Sequence, residues 1–150
     1  MLSLILTASA LVAVTVVVHA TGIAVLLRRF RLYSSPPGRG WPVLWLLLRM
    51  VLWLMLLHLT EIAVWALFYM WRGATPDAET AFYFSGVTYT TLGYGDVVLA
   101  RPWRLLGPIE ALAGILMGGL STGYFLVILS RVHHLSSAEG AAASARTSKA

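Results

Sequence analysis

The amino-acid sequence predicts an all-α membrane protein with three transmembrane helices and one shorter helix that enters the membrane without crossing it. Hydrophobic residues make up 59% of the 150 residues and charged residues only 11%. A soluble domain could not cover itself with so little polar surface. Three apolar runs, residues 2–27, 50–71 and 105–130, contain at most one charged residue each. Each run is long enough to cross about 30 Å of hydrocarbon.

Composition also bounds the chemistry of the protein. The sequence contains no cysteine, which excludes disulfide bonds and thiol chemistry. The net charge of +5 comes from basic residues that cluster at the ends of the apolar runs rather than along one face. This pattern indicates membrane topology, so we expect the lipid bilayer as a partner and no nucleic acid.

The first run is predicted to be a retained transmembrane helix within residues 1–31. Ala8-Ser9-Ala10 has the small residues of a signal-peptide cleavage site, but no Lys or Arg precedes it. The arginines Arg28, Arg29 and Arg31 follow the run immediately. They favour a retained helix over a signal peptide, and they are expected to stay cytoplasmic, which places the N-terminus outside.

The second helix follows a linker. Residues 32–42 are rich in proline and glycine and predict an irregular cytoplasmic connection. Residues 41–48 are apolar but are cut off by Arg49. They form either an interfacial foot or the first two turns of the second helix, whose arginine would then snorkel toward the surface. Residues 43–131 are expected to form the main membrane module.

A short helix is predicted after the loop at residues 72–77. Thr75 can cap it, Pro76 suits the first helical position, and Asp77 stabilises the positive end of the helix dipole. The helix would extend to about Thr90, a length of roughly 20 Å, which is too short to span the membrane. We therefore expect it to re-enter the membrane, with its C-terminal carbonyls directed toward the membrane centre.

Residues 91–96, of sequence TLGYGD, follow this helix and are called here the glycine segment. Backbone carbonyls point toward one axis when successive residues alternate between negative and positive φ, and glycine adopts positive φ at little cost. Gly93 and Gly95 are predicted to take the positive values. The alternative interpretation is an ordinary surface turn, because Gly and Asp are common turn residues.

The glycine segment resembles the TxGYGD selectivity filter of potassium channels. Residues 82–91 resemble the pore helix of the same family, with an aromatic pair, a small residue and a threonine-rich end. The resemblance covers about residues 50–131. It implies a potassium-selective channel, not an enzyme, that assembles as a homotetramer around K⁺ as the permeant ion and needs no cofactor.

The resemblance also implies roles for individual residues. The carbonyls of Thr91, Leu92, Gly93 and Tyr94 would coordinate K⁺, and Gly95 would complete the filter. The side chains of Leu92 and Tyr94 would wedge against the helix behind the filter. The residues expected to support the filter are Tyr83, Val87, Thr90 and Asp96, the last accepting a hydrogen bond from Tyr83 at the outer mouth.

The distribution of basic residues predicts the topology. Eight Lys and Arg fall on the predicted cytoplasmic side and three on the external side. We therefore expect a multi-pass protein of the plasma (inner) membrane, with an external N-terminus and a cytoplasmic C-terminus. Residues 132–150 are rich in alanine and serine and predict a disordered tail. The sequence has no helix with arginines at every third position, which argues against voltage sensing of the usual kind.

Gating candidates lie on and after the third helix. Gly114 and Gly118 contribute either to close helix packing, to a gating bend or to a wider cavity. The hinge glycine common in the family would fall near position 115. His133 and His134, at the cytoplasmic end, could respond to internal pH.

Ionisable residues inside the predicted spans form a further candidate site. His19 and His58 both lie roughly 14 Å from the inner membrane surface at 1.5 Å per residue. With Glu61 they could tie the first helix to the module; alternatively, Glu61 bonds hydroxyls of the short helix. A third interpretation, metal binding or proton relay, would make the chain a small membrane protein that moves protons or metal. Glu110 either supports the filter from behind or neutralises Arg104.

Overall fold

The computed structural model is all-helical, without strands, over the residues it describes. It describes the backbone of residues 1–31 and 41–147, and the side chains within residues 1–29 and 43–130. The elements in chain order are α1 (Leu2–Arg31), α2 (Trp41–Trp71), α3 (Ala78–Tyr89), a 3-10 turn (Trp103–Leu105) and α4 (Leu106–Thr147).

Three helices are long and apolar enough to cross a membrane: Leu2–Arg29, Val43–Trp71 and Trp103–Ser130. The three predicted spans are therefore confirmed, and the chain is a multi-pass membrane protein. Since α2 is continuous from Trp41, residues 41–48 are its first two turns rather than a separate foot. Most of the predicted linker, residues 32–42, lies outside the described residues.

Helix α3 begins two residues later than the sequence predicts. Asp77, not Thr75, is its N-cap, with extended backbone at φ −153° and ψ 173°. One carboxylate oxygen accepts the backbone N–H of Thr80 at 2.7 Å, and the other accepts the Thr80 hydroxyl at 3.1 Å. The backbone bond from Thr80 contributes most to lowering the pKa of the Asp77 carboxyl below its ordinary value. The two oxygens of the carboxylate accept these two donors separately, and its negative charge also suits the positive end of the helix dipole.

The main core cluster contains residues of α1, α2, α3 and α4. Trp65 and Tyr69 of α2 are fully buried, and the ring of Tyr69 packs edge-on against Phe84 of α3 with centroids 5.4 Å apart. Ala8 of α1 and Leu106 of α4 complete the same cluster. With 12 residues, α3 measures about 18 Å, too short to span a bilayer.

Helix α1 is bound to α2 by hydrogen bonds as well as by apolar contact. The indole N–H of Trp65 donates to the Thr15 hydroxyl at 3.0 Å, and that of Trp53 donates to the Gly22 carbonyl at 3.1 Å. A Cβ at position 22 would meet the end of the Leu57 side chain, which would have to move, so the two helices are in close contact there. A helix that merely anchored the chain in lipid would need none of these contacts.

Helix α4 continues to Thr147, which differs from the disorder predicted for residues 132–150. The alanine content that suggested a low-complexity tail also favours helix, since alanine has the highest intrinsic helix propensity. The side chains of His133 and His134 lie outside the described side chains.

Candidate functional site

The glycine segment leaves α3 through a compact series of backbone hydrogen bonds. The N–H of Thr91 donates to the Thr88 carbonyl at 2.9 Å, and that of Gly93 donates to the Val87 carbonyl at 3.2 Å. These bonds fold the start of the segment back on the end of α3. Val87, expected to support the segment, does so through its carbonyl.

Positive φ recurs at every second residue of the segment. Gly93 has φ 58° and Gly95 has φ 80°, as predicted, and Thr91 has φ 64°. The value at Thr91 was not predicted, because a β-branched residue rarely adopts a left-handed backbone, at a cost of about 1–3 kcal/mol. The predicted alternation of φ could have indicated this value, because positive φ at every second residue before Gly95 and Gly93 falls on Thr91.

The side chains of Leu92 and Tyr94 are not packed in the single chain. They are 60% and 68% exposed, so the expected wedge against α3 is not formed by one chain. Thr90 is also exposed, and its hydroxyl donates to the Gly86 carbonyl of its own helix at 2.7 Å.

Asp96 is held by Tyr83, as the sequence predicts. The Tyr83 hydroxyl donates to the carboxylate at 2.6 Å, which joins the far end of the glycine segment to α3. This hydrogen bond keeps the pKa of Asp96 below its ordinary value and raises the pKa of Tyr83. Both side chains are exposed.

Glu110 of α4 supports α3 from behind. It is fully buried and accepts the Tyr69 hydroxyl at 2.7 Å and the Ser85 hydroxyl at 2.5 Å. The Ser85 hydroxyl also lies 2.9 Å from the Ile62 carbonyl of α2. The contact with Ser85 links Glu110 to α3, whereas its support of the predicted filter stays a prediction. Arg104 is exposed, unlike the buried Glu110.

Glu61 gathers a second buried polar cluster. Its carboxylate accepts the Tyr89 hydroxyl at the end of α3, and its two oxygens lie 2.8 Å from His19 Nδ1 and 3.0 Å from His58 Nδ1. The other ring nitrogen of His58 is 3.1 Å from the Ser121 hydroxyl of α4. The predicted cluster is confirmed, and so is the alternative bond to a hydroxyl of α3, because one carboxylate does both. All four α-helices therefore contribute a side chain to this cluster.

Gly114 and Gly118 have different surroundings. A Cβ at position 114 would overlap the backbone carbonyl of Tyr89, so Gly114 allows α4 to approach the end of α3. This is close packing, one of the three interpretations from sequence. Gly118 has no such neighbour within 4 Å. It lines a cavity of about 690 Å³ between α2, α4 and the end of α3, together with His58, Tyr89, Thr91 and Ser121.

The fold and these contacts define the class of the protein: a multi-pass helical membrane protein whose short helix is held by two buried carboxylates. The sequence profile of the ion channel family matches residues 53–131, which is more than half of the chain. The chain belongs to this ion channel family. The match begins in α2 and leaves α1 outside, in agreement with the potassium channel pore module that the sequence resembles. No curated protein and no solved structure matches the chain significantly.

Proposed function

We propose that the protein is a homotetrameric potassium-selective channel in which the glycine segments of four chains form the filter. The observation that carries this proposal is the positive φ at Thr91, Gly93 and Gly95, in a chain of the ion channel family. A backbone that alternates in this way can present successive carbonyls on one side. Carbonyls arranged around an axis replace the water of a dehydrated K⁺, and multi-site binding lets the ion pass without a reaction or a cofactor.

A single chain leaves the ring incomplete, so several identical chains are needed, and the resemblance to potassium channels makes that number four. The sequence contains a single GYG, so a closed ring requires identical chains arranged by symmetry. The exposed side chains of Leu92 and Tyr94 supply apolar surface that neighbouring chains would cover. In the assembly, the wedge behind the filter would then be made between subunits.

Helix α3 serves in this proposal as the re-entrant pore helix. Its C-terminal carbonyls carry partial negative charge, which would stabilise a cation waiting below the filter. Non-helical backbone at membrane depth is tolerated where it lines water or is buried in protein, and the glycine segment would do both. Glu61 and Glu110 fix this helix through Tyr89 and Ser85.

Orientation and gating complete the proposal. The channel lies in the plasma (inner) membrane with its filter at the external face, its N-terminus outside and its C-terminus in the cytoplasm, as the bias of basic residues predicts. Gly118, His133 and His134 stay gating candidates, while the tight contact at Gly114 favours a packing role.

The test is ion flux through the purified protein in proteoliposomes. K⁺ flux should greatly exceed Na⁺ flux. Gly93→Ala places a Cβ on a residue at φ 58°, which disfavours the filter conformation by about 1–2 kcal/mol, so K⁺ flux should fall by roughly tenfold or more.

Gly73→Ala is the matched control. Gly73 has φ 62° and no neighbour within 4 Å, so its alanine variant carries the same backbone strain in the loop after α2. Its flux should stay near the wild-type value. Equal flux of K⁺ and Na⁺, or a Gly93→Ala variant that conducts normally, contradicts the proposal, as does a cross-linked assembly of any number of subunits other than four.

The alternative function, movement of protons or metal by the His19, His58 and Glu61 cluster, has the formation of that cluster in its favour. Within the described side chains, the chain of hydrogen bonds stops inside the bundle. One end is the Ser121 hydroxyl, and the other is His19, whose Nε2 has no partner. A relay would need to continue toward both membrane faces. If this function were correct, His58→Ala and Glu61→Ala would abolish transport while Gly93→Ala would not.

A further inference from the structure

We propose that His19, His58 and Glu61 form a binding site for a divalent transition-metal ion of the Zn²⁺ type, which fastens α1 to α2. Each residue offers one ligand atom, and these atoms all lie within 4.8 Å of one another. Two imidazoles and one carboxylate are a set that Zn²⁺ uses when three protein ligands leave a fourth position open. Imidazole nitrogen favours Zn²⁺, Co²⁺ or Ni²⁺, whereas Ca²⁺ and Mg²⁺ prefer oxygen ligands.

The helices bring these ligands together without distortion. His58 and Glu61 are three residues apart, which places them on one face of α2, and His19 faces them from α1. Both Nδ1 atoms point at the same carboxylate, at 2.8 and 3.0 Å. Ligand atoms around a tetrahedral Zn²⁺ lie about 3.4 Å apart, given bonds of about 2.0–2.2 Å. Small side-chain rotations therefore convert the hydrogen-bonded cluster into a coordinating one.

The groups around the cluster suit both of these arrangements. When His58 coordinates through Nδ1, its Nε2 carries the proton and donates to the Ser121 hydroxyl 3.1 Å away. A hydroxyl can donate or accept, so the same contact fits the imidazole with or without metal. Such outer partners fix the orientation of metal-binding histidines. Tyr89 holds Glu61 in the same manner from α3.

The cluster is enclosed by protein. His19 is 2% exposed. Glu61 is fully buried at membrane depth, where a carboxylate is costly unless a cation or several donors compensate it. A divalent cation supplies that compensation directly.

An ion can reach the site through the cavity that His58 lines. His58 lines the cavity of about 690 Å³ below the glycine segment, and its side chain is 24% exposed. Glu61 and His19 lie directly behind it. The cavity therefore provides the entry path that a metal site requires.

The test is titration of Co²⁺ into the purified full-length protein in detergent, with any polyhistidine tag removed, followed by visible absorption. About one Co²⁺ per chain should bind with the intense bands of a low-coordinate site, and Zn²⁺ should displace it. His19→Ala should weaken binding more than about 100-fold, and Ser121→Ala about 10- to 100-fold, because Ser121 only orients a ligand.

The chain has four histidines, so the remaining two provide the matched control. A His133→Ala/His134→Ala double variant should bind Co²⁺ as the wild type does. A second readout covers the case in which His19→Ala does not fold: Zn²⁺ should raise the Tm of the wild type and not that of Glu61→Gln.

The proposal is overturned if the wild type shows no saturable Co²⁺ band, if the double variant loses the band, or if a folded His19→Ala keeps it at unchanged affinity. None of these measurements uses ion flux. Failure of the metal site and failure of the channel proposal are therefore separate results.

Discussion

Glu61 and Glu110 are both buried carboxylates that hold hydroxyl groups of α3, but they draw on different parts of the chain. Glu110 accepts from Tyr69 and Ser85, which, like Glu110 itself, lie within the region that matches the ion channel family. Glu61 accepts from Tyr89, but also contacts His19 of α1, outside that region.

The difference lies in how each carboxylate relates to α1. The hydrogen bonds of Glu110 come from α2 and α3, whereas those of Glu61 include one from His19 of α1. Tyr89 and Ser85 are one helical turn apart on α3, so the two carboxylates hold the same short helix at adjacent points. The described side chains of α1 therefore hydrogen-bond to the Glu61 carboxylate and not to the Glu110 carboxylate.

The largest effect is expected from removing either carboxylate. Each buried donor left without an acceptor costs about 1–3 kcal/mol. Glu61 accepts from three donors, so Glu61→Ala should lower the free energy of unfolding by about 3–9 kcal/mol. Glu110 accepts from two donors, so Glu110→Ala should lower it by about 2–6 kcal/mol. Unfolding in mixed detergent, followed by circular dichroism, measures both values.

A double-mutant cycle with His19→Ala then separates the two carboxylates. The coupling energy between His19 and Glu61 should exceed about 1 kcal/mol, because these residues are in contact, and that between His19 and Glu110 should be within about 0.5 kcal/mol of zero. Equal coupling of His19 to both carboxylates would remove the distinction drawn between them.

A smaller effect is expected at Gly114, where the two supports meet. It follows Glu110 by one turn and packs against the carbonyl of Tyr89, which Glu61 holds. In Gly114→Ala the new methyl group meets backbone, so α4 must move away from α3 at a cost of about 1–3 kcal/mol. The same unfolding experiment measures this loss.

Gly119→Ala is the control for this change, since a Cβ at position 119 meets nothing within 4 Å. Alanine is the better helix former, so this variant should be unchanged or more stable by up to about 1 kcal/mol. Similar losses at both positions would show that the contact with Tyr89 is not what makes Gly114 necessary.

The smallest effect is expected at the exposed carboxylate Asp77, which caps α3 from its other end. Its folded pKa lies below the ordinary value of 3.8, because Thr80 donates to it. Its contribution to stability is therefore present above that ordinary value and is lost as pH falls through the folded pKa. Asparagine is also a good N-cap but does not titrate. Asp77→Asn should therefore leave stability near pH 7 almost unchanged and reduce the loss of stability at acid pH. If the variant loses as much stability at acid pH as the wild type does, the cap is not the cause of that loss.

Much of this arrangement could be predicted from the sequence, because it depends on position along a helix. The three spans followed from apolar length, and the meeting of His19 with His58 followed from their equal depth. The positive φ of Gly93 and Gly95 followed from what a carbonyl-lined backbone requires.

What could not be predicted depends on helix rotation and on competition between neighbouring groups. A uniformly apolar α4 gives no sign of which glycine faces α3, so the contact at Gly114 could not be chosen over Gly118. Thr75 and Asp77 are both good caps, and only the position of Thr80 decides between them. The contact of Glu61 with the histidines and its contact with a hydroxyl of α3 are compatible, because a carboxylate has enough lone pairs for both.

The hydrogen bond between His19 and Glu61 has a consequence for where this protein can be divided. Sequence similarity places a boundary near residue 53, and a minimal fragment cut there would look self-sufficient. Excision of α1 would instead turn a buried carboxylate and an imidazole toward hydrocarbon. In this chain the region that matches the family and the network of buried polar contacts have different limits.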